Sequence, residues 1–301
     1  MSGSREDRRF ARRTKAEYGM FHAHAASLRS AQLGRQVGAA LLSPEGDVIS
    51  VGTNEVPKSG GGLYWEGDSP DSRDHRRGQD SSDQARVEIL VEILDIVDSE
   101  WTDTPPEEKQ RVLADRLERF RSTRITSLTE FGRAVHAEAE AIVSAARRGV
   151  STAGSELYCT TFPCHVCAKH IVAAAMTTVT YIEPYPKSRA LDLHEDSISL
   201  EDEKGNKVVF RPFVGVAPRA FERLFSMRDA DGGTIERKNH AGAPILDRVH
   251  MRSRMPYFSA LQKESIVASK LTELTPKEER RWPRSSSEIP PTRDGGSSGR
   301  G

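Results

Sequence analysis

The distribution of apolar and polar residues in the first part of the chain predicts a helix followed by a β-hairpin. Residues 11–33 fit a helix that ends near Gly34, because glycine is a common helix terminator. Residues 37–42 and 48–51 form two apolar runs, and residues 43–47 between them are rich in turn formers. We therefore expect one helix and then two adjacent central strands.

From about residue 59 to residue 130 the chain becomes charged and irregular. Residues 84–99 and 106–121 in this stretch place apolar side chains at helical intervals, which predicts two helices that pack on the core. The glycine run at residues 60–62 is not followed by Lys-Ser or Lys-Thr at the spacing of a nucleotide-binding P-loop. We interpret the stretch as a helical insertion into a single domain.

The second half of the chain returns to alternating helices and strands. An alanine-rich run after His136, stopped by Gly149, predicts a helix. Residues 156–160, 179–183 and 207–213 have strand-like patterns. About five strands, with helices before, between and after them, predict an α/β fold: a three-layer α/β/α sandwich with a mixed sheet.

Both ends of the chain have the composition of flexible segments. Residues 1–10 are polar, periodicity weakens from Met227 onward, and residues 276–301 are rich in Glu, Arg, Ser, Pro and Gly. We therefore predict a flexible N-terminus at residues 1–10, a main domain at residues 11–262 and a mostly disordered tail at residues 263–301.

Composition changes this picture mainly by what it excludes. The 44 basic and 44 acidic residues give a formal net charge of +0, and only 6% of residues are aromatic. A protein that binds polymeric DNA or RNA normally needs a basic surface with stacking aromatic side chains, so the balance favours a small substrate. The sequence shows no secretion signal and no run of eighteen apolar residues, which predicts a soluble cytoplasmic protein.

Two short motifs carry the candidate chemistry: His-Ala-Glu at residues 136–138 and Pro-Cys-His-Val-Cys at residues 163–167. Cys164 and Cys167 are three residues apart, so they share one helix face and can bind one ion. The proline favours the start of a helix, where backbone N–H groups and the helix dipole stabilise thiolates. With His136 they supply three ligands for Zn²⁺ and leave the fourth tetrahedral position to water, as in catalytic zinc sites. We expect both helices to begin at one edge of the sheet.

Glu138 is the candidate proton carrier. It lies two residues from His136, a rotation of about 200° on a regular helix, so it is poorly placed to bind the same ion. A carboxylate beside the bound water can accept the water proton, pass it to a ring nitrogen and later protonate the departing amine. Because H-x-E followed by P-C-x-x-C is the signature of zinc deaminases, the motifs predict hydrolytic replacement of an exocyclic amine by a carbonyl.

A structural zinc site is the alternative interpretation, and it requires a fourth protein ligand such as Cys159, His165 or His170. Cys159 lies in a strand-like segment, where a free cysteine is more often a small buried apolar side chain. We expect the two histidines to face solvent or a neighbour. His22 and His24 point to opposite sides of the first helix, so we interpret them as surface or packing residues. With two of three cysteines assigned to metal, no disulfide pair remains, as expected in a reducing cytosol.

The chain resembles the cytidine deaminase superfamily and, within it, the deoxycytidylate deaminase group. The resemblance is carried by Arg-Gln-Val-Gly-Ala at residues 35–39, Gly-Thr-Asn at residues 52–54 and the two zinc motifs, and it spans about residues 14–215. It implies a zinc-dependent hydrolase that acts on a cyclic amidine, in the reaction class EC 3.5.4.

A narrower resemblance is to bacterial anti-phage deoxycytidine nucleotide deaminases. It is carried by Val-Pro-Lys-Ser-Gly-Gly-Gly at residues 56–62, by the Asp-rich insertion, and by Tyr-Pro-Lys-Ser at residues 185–188 before Asp-Leu-His at residues 192–194. Such proteins deplete dCTP and dCMP during infection, and many carry a kinase-like P-loop domain upstream. We expect that domain to be absent here, which leaves open whether the activity is constitutive, partner-dependent or controlled by nucleotide binding.

The resemblance implies five residues that bind the nucleotide. The Asn54 side chain is expected to hydrogen-bond the sugar, and the Ala137 backbone to recognise the carbonyl edge of the pyrimidine. Three cations are candidates for the phosphate: Arg35, Lys58 and Lys187. An asparagine after a strand is also a common turn residue, and each of the cations is equally well an ordinary surface charge.

Two positions depart from the family pattern. Glu55 follows the asparagine where glycine is common, and Glu140 stands where asparagine is usual after the His-Ala-Glu triplet. We therefore expect contacts with the base and with effectors to differ from those of the family.

The motifs and the resemblance are compatible with three classes of function. The first, which we favour, is a deaminase of free dCMP or dCTP. The second is a polynucleotide deaminase that acts on tRNA adenosine or single-stranded DNA cytosine, and the third is a non-catalytic zinc-binding partner in a defence assembly. Relatives form dimers, tetramers or hexamers, so the resemblance also implies a homo-oligomer.

Overall fold

A computed structural model of the chain describes residues 13–120, 131–201 and 207–228, together with positions 123, 125, 233, 234, 238 and 241–243. The chain divides into two compact units, residues 1–248 and residues 249–301, and the second lies outside the described residues. The predicted flexible N-terminus and disordered tail also lie outside them.

One mixed sheet organises the described part of the chain, with strand order β2-β1-β3-β4-β6-β5. Its strands are β1 (Gly38–Leu42), β2 (Val48–Thr53), β3 (Glu156–Thr161), β4 (Thr178–Glu183), β5 (Ile198–Ser199) and β6 (Val208–Pro212). The first pairs antiparallel with β2 and β3, and the remaining pairs are parallel. The predicted hairpin is confirmed. The strand that the prediction missed, β5, has two residues, too few to show a pattern.

Helices cover both faces of this sheet. The helices of the described residues are α1 (Lys15–Ser27), α2 (Asp74–Arg77), α3 (Ser81–Val97), α4 (Ser99–Asp103), α5 (Pro106–Phe120), α6 (Ala137–Arg147), α7 (His165–Ala173), α8 (Ala190–Leu193) and α9 (Pro218–Phe225). Of these helices, α1, α6 and α7 pack on the sheet. None of the described helices is long and apolar enough to cross a membrane.

The side chains of β1 show why there are three layers. Ala39 and Leu41 are buried in the cluster that includes α6 and α7, whereas Ala40 and Leu42 are buried in the cluster that includes α1. Successive residues of a strand point to opposite faces, so a strand that is buried throughout must have helices on both sides. The predicted α/β/α sandwich with a mixed sheet is confirmed.

The first helix is shorter than predicted, because α1 ends at Ser27 and not near residue 33. The residues after Ser27 do not continue the helix and form other hydrogen bonds instead. The hydroxyl of Ser30 donates to the carbonyl oxygen of Asn54 at 2.8 Å, and the side-chain amide of Gln36 donates to the carbonyl oxygen of Ser30 at 2.7 Å. These bonds replace the next helical turn and lead the chain into β1.

The two helices predicted in the insertion are confirmed as α3 and α5. The expectation that they pack on the core is wrong in one respect. Leu90 and Leu94 of α3 and Trp101 of α4 form a buried cluster of their own, and partly buried apolar side chains of α5 pack against it. The helices therefore bury their apolar stripes mainly against each other.

The close approach of α6 to β2 depends on Gly52. A Cβ atom at this position would lie 2.0 Å from the carbonyl oxygen of Ala137 and 2.6 Å from the amide nitrogen of Ala141. Both neighbours are helix backbone, which cannot rotate away. The hydroxyl of Ser50 adds a bond of 2.7 Å to the carbonyl oxygen of Ala141.

We predict that Gly52→Ala destabilises the protein by about 3 kcal/mol, because the methyl group must push α6 away from the sheet. The measurement is equilibrium urea denaturation. Gly34→Ala is the control: its Cβ would meet nothing within 4 Å, and a change within about 0.5 kcal/mol is expected there. Equal effects of the two substitutions would contradict the packing described above.

Candidate metal centre and adjoining cavity

The three predicted metal ligands lie at the starts of two neighbouring helices. His136 is the N-cap of α6 and Cys164 the N-cap of α7, and both have extended backbone angles. The thiol sulfur of Cys164 accepts a bond from the backbone N–H of Cys167 at 3.4 Å. Because α6 and α7 pack side by side on one face of the sheet, the three side chains meet at one edge.

The distances fit a tetrahedral zinc ion. Nδ1 of His136 lies 3.3 Å from the sulfur of Cys164 and 3.3 Å from that of Cys167. Bonds of about 2.3 Å to sulfur and about 2.0–2.1 Å to nitrogen, at the tetrahedral angle, separate the two ligand atoms by about 3.5 Å. The donor set of one imidazole and two thiols is one that zinc prefers.

The Cys164 thiol at this edge differs in pKa from the Cys159 thiol in the sheet, whereas the pKa of Cys167 is raised by its hydrogen bond with Cys164 and by burial. Hydrogen bonding from Cys167, with a further contribution from His136, lowers the pKa of Cys164 to about 4. Burial raises the pKa of Cys159 well above its ordinary value, so that thiol stays protonated. A thiolate is the form that binds a metal.

The structural-zinc alternative lacks a fourth ligand among the described residues. The metal-ligand group contains His136, Cys164 and Cys167, and no further side chain joins it. Cys159 is buried within β3, with its sulfur 3.8 Å from the carbonyl oxygen of Thr180. His165, also outside the group, is half-buried on α7. The described ligand set therefore leaves one tetrahedral position for a non-protein ligand.

Glu138 lies next to the three ligands. Only 4% of the residue is exposed, and its Oε2 atom is 3.5 Å from the sulfur of Cys167. Burial raises the pKa of this carboxyl, and the negative charge of Cys164 raises it further. A carboxyl group with a raised pKa that lines a cavity is suited to take up and release a proton during a reaction.

A cavity of about 560 Å³ opens onto Glu138 and His136. Its walls come from the segment before β1, the end of β2, the insertion with the segment that follows it, the start of α6 and the loops after β3 and β4. The lining residues are Gln32, Gly34, Arg35, Val37, Asn54, Asp74, Asp80, Ser82, Arg86, Gly132, Arg133, Ala134, His136, Ala137, Glu138, Thr161, Phe162, Cys164, Tyr185 and Lys187. The volume is in the range of small-molecule sites.

Four of the five residues predicted to bind a nucleotide line this cavity, namely Arg35, Asn54, Ala137 and Lys187. The fifth, Lys58, is not among the lining residues. Its ammonium group lies 2.8 Å from a carboxylate oxygen of Asp68. That ion pair fixes the loop before the insertion helices, so Lys58 has a structural partner instead of a position at the cavity.

Asn54 holds the cavity wall in place. Its side-chain amide donates to the carbonyl oxygen of Arg35 at 2.6 Å and accepts from the N–H of Val37 at 2.7 Å. Asn54 therefore has the structural role of a turn residue that the sequence left open, since its side chain bonds the backbone of the neighbouring segment. A primary amide has two N–H groups and an oxygen with two lone pairs, so one donor and one lone pair remain.

Glu55, which departs from the family pattern, anchors the same wall. The residue is 1% exposed. Its carboxylate accepts from the N–H of Ala31 at 2.9 Å, the side-chain amide of Gln32 at 3.1 Å and the N–H of Val56 at 2.8 Å. Its backbone also pairs with Val135, next to the first metal ligand. The residue thus joins the segment before β1 to the segment that carries His136.

Sequence reasoning missed the part of the cavity wall that comes from the insertion and the segment after it. Asp74, Asp80, Arg86 and Arg133 all line the cavity. The guanidinium of Arg133 donates to the carboxylate of Asp74 at 3.1 Å and to the carbonyl oxygen of Ser72 at 2.9 Å. Asp74 and Arg133 are 59 residues apart in the chain, and no local pattern signals such a pair.

Comparison with known proteins gives one family. The family model described as cytidine and deoxycytidylate deaminase zinc-binding region matches residues 13–183. ComE operon protein 2 of Bacillus subtilis is 45% identical over 53 residues, which is 18% of this chain and 28% of that protein. The deoxycytidylate deaminase of Enterobacteria phage T4 is 42% identical over 55 residues, 18% of this chain and 28% of that protein.

The matched segments thus span less than a third of the length of these two curated relatives. Among solved structures, the dCMP deaminase of cyanophage S-TIM5 in complex with dCMP and dUMP is 21% identical. The match covers 65% of this chain and 95% of the cyanophage protein, with a TM-score of 0.36. A deaminase–reductase of Thermotoga maritima is 14% identical and covers 80% of this chain and 51% of that chain, with a TM-score of 0.35.

We predict that the purified protein contains one zinc ion per chain, and that Cys164→Ser removes most of it, because a serine hydroxyl is a poor zinc ligand. Elemental analysis by mass spectrometry measures the ratio. Cys159→Ala is the control, since this thiol lies in the core and outside the ligand group. Loss of zinc from Cys159→Ala and retention in Cys164→Ser would refute the assignment.

We also predict that Glu55→Ala destabilises the protein by roughly 3 kcal/mol, because three donors lose their acceptor. Gln32→Ala removes one of the three bonds and should cost about 1 kcal/mol. Thermal and urea denaturation of both variants provide the comparison. A neutral Glu55→Ala would show that the buried carboxylate does not hold this wall.

Proposed function

Because the chain belongs to the family of cytidine and deoxycytidylate deaminases, we propose that it hydrolyses the exocyclic amine of a free deoxycytidine nucleotide, dCMP or dCTP. The proposal rests on one observation. His136, Cys164 and Cys167 form a three-ligand group with Glu138 beside it, at the base of a cavity large enough for a nucleotide. The reaction converts a cytosine and water into a uracil and ammonia.

The three ligands would hold zinc. A zinc ion in a site with three protein ligands lowers the pKa of a coordinated water to about 7 and so supplies hydroxide at neutral pH. The chain's own proton carrier is Glu138. Its carboxylate takes one proton from water and delivers it to the pyrimidine ring nitrogen, then takes the second proton of that water from the hydroxyl added to the ring carbon and passes it to the amine as ammonia leaves. Its raised pKa suits both directions of transfer.

The remaining predicted residues have roles that fit their positions on the cavity. Ala137 is the first residue of α6, and the first N–H groups of a helix have no partner within it, so this backbone can bind the carbonyl of the pyrimidine. The donor and lone pair that Asn54 retains can bind the sugar. Arg35 and Lys187 bind the phosphate. These assignments make the substrate a nucleotide and not a free base.

The alternative of a polynucleotide deaminase is weaker. Strand-binding proteins combine a basic groove with stacked aromatic side chains, whereas this chain has no net charge and few aromatic residues. A role in depleting deoxycytidine nucleotides during phage infection, cytoplasmic localisation, and assembly into a homo-oligomer are part of the proposal and rest on the sequence alone. So does the assignment of residues 11–262 to one deaminase domain.

We predict that Glu138→Gln lowers turnover of dCMP and dCTP by about 10³-fold or more while zinc is retained, because the amide cannot carry the proton. The assay is formation of dUMP or dUTP. Glu140→Gln is the matched control: Glu140 is also buried on α6 with a pKa raised by burial, but it does not line the cavity. Its variant should keep activity within a fewfold.

Three results would contradict the proposed function. Turnover of oligonucleotides without turnover of free nucleotides would favour a polynucleotide deaminase. Zinc binding with no turnover of any cytosine substrate would favour a non-catalytic protein. Equal loss of activity in the Glu138 and Glu140 variants would remove the proton-carrier role from Glu138.

A further inference from the structure

Residues 131–135 lead directly into the first metal ligand, His136. They contain no helix, and the bridge of Val135 to Glu55 is their only strand-like pairing among the described residues. Three of them line the cavity. Because His136 is itself the N-cap of α6, a shift of this short segment would move the imidazole relative to the two thiols on α7. Whatever fixes the segment therefore also fixes the first ligand.

The first anchor of this segment is the hydroxyl of Ser81, the first residue of α3 in the insertion. It donates to the carbonyl oxygen of Phe131 at 3.0 Å and accepts from the backbone N–H of Arg133 at 3.2 Å. A hydroxyl can donate and accept at the same time. One side chain of the insertion thus holds the backbone of the segment at two places.

The second anchor is the side chain of Arg133. Its Nη1 atom donates to the carbonyl oxygen of Ser72 at 2.9 Å and to the carboxylate of Asp74 at 3.1 Å. The side chain of Asp74 is 4% exposed and that of Arg133 is 30% exposed. A buried carboxylate that loses its partner is costly, so the pair resists separation.

Asp74 lies on a turn that is fixed independently of the cavity. It is the first residue of α2, and the preceding Arg73 is buried. The guanidinium of Arg73 binds both carboxylate oxygens of Asp71, at 2.9 Å and 2.6 Å, and a carboxylate oxygen of Glu66 at 2.8 Å. A two-point pair between arginine and a carboxylate has a defined geometry. Arg133 therefore meets an acceptor that is already held in place.

A partly buried ion pair of this kind adds little net stability, because both charges lose water when they are buried. What it supplies here is a fixed position for the backbone. We propose that Arg133 is a positioning residue of the metal centre: held by Asp74, it fixes the segment that leads into His136 and so places the imidazole opposite the two thiols. The insertion thereby contributes to metal binding without touching the ion. This role rests on the zinc site of the proposed function.

The test measures zinc affinity, so that it does not depend on turnover. Competition with a coloured zinc chelator gives the Kd of zinc for the full-length protein. We expect Arg133→Met to weaken zinc binding by about tenfold, because groups that orient a metal ligand contribute about ten- to a hundredfold to affinity. The absorption bands of the Co²⁺-loaded protein, which report the coordination geometry, should change in the same variant.

Two further variants test the route through the insertion. Because Arg133 acts through Asp74, the double variant Arg133→Met/Asp74→Asn should bind zinc within about twofold of Arg133→Met alone. Additive effects of the two substitutions would contradict the proposal. Ser81→Ala removes the other anchor without leaving a buried charge and should weaken zinc binding by about threefold. It keeps the test decisive if Arg133→Met does not fold.

Arg116→Met is the matched control. Arg116 also forms an ion pair within the insertion, with Asp98 at 3.0 Å, and its side chain is 15% exposed. It does not line the cavity and makes no bond to residues 131–135. Its loss should lower the urea midpoint of unfolding but leave the zinc Kd and the Co²⁺ spectrum unchanged. If Arg116→Met weakens zinc binding as much as Arg133→Met, the effect is a general loss of stability and the proposal is wrong.

The outcomes separate this inference from the proposed function. If Arg133→Met and Ser81→Ala keep the wild-type zinc Kd and only turnover falls, the positioning role is overturned and the proposed deamination stands. If zinc binding weakens as expected but the wild-type protein deaminates no cytosine nucleotide, the proposed reaction fails and the positioning role stands. A wild-type protein that binds no zinc would overturn both.

Discussion

The structure depends on bringing the starts of two helices together at one edge of one sheet. Neither His136 nor the two cysteines can bind an ion alone, and the chain places them on separate helices, α6 and α7. Two close contacts hold α6 in position on β2: the approach of Gly52 to its backbone and the bond from Ser50 to Ala141. The α7 start is held by the loop after β4, where the hydroxyl of Ser188 donates to the carbonyl oxygen of Pro163 at 2.7 Å. Hydrogen bonding among the ligands at this meeting point lowers the pKa of Cys164 and raises the pKa of His136.

The cavity next to the ligands is assembled from parts with different functions. The edge of the sheet supplies the reacting groups, and the segment before β1, held by Asn54 and Glu55, supplies one wall. The insertion supplies another wall through α3. A division of this kind lets the helices of the insertion change beyond their first residues without disturbing the chemistry, because they pack mainly on each other.

The sequence predicted those features that local pattern determines. The hairpin, the mixed sheet and the helix starts at the two motifs follow from strand alternation, helix propensity and ligand spacing. The features that it missed depend on contacts between distant residues. The end of α1 is set by the bond from Ser30 to Asn54, and the insertion wall by the pair of Asp74 and Arg133. The sequence made Lys58 a candidate for the phosphate and did not reveal its ion pair with Asp68.

The central claim is that one imidazole and two thiolates hold a zinc ion whose remaining position is open to water. X-ray absorption spectroscopy of the purified protein at the zinc edge tests it most directly. The account predicts two sulfur neighbours at about 2.3 Å and two nitrogen or oxygen neighbours at about 2.0–2.1 Å. A third sulfur neighbour, which would bring Cys159 into the site, or a zinc ion with no sulfur neighbours would contradict it.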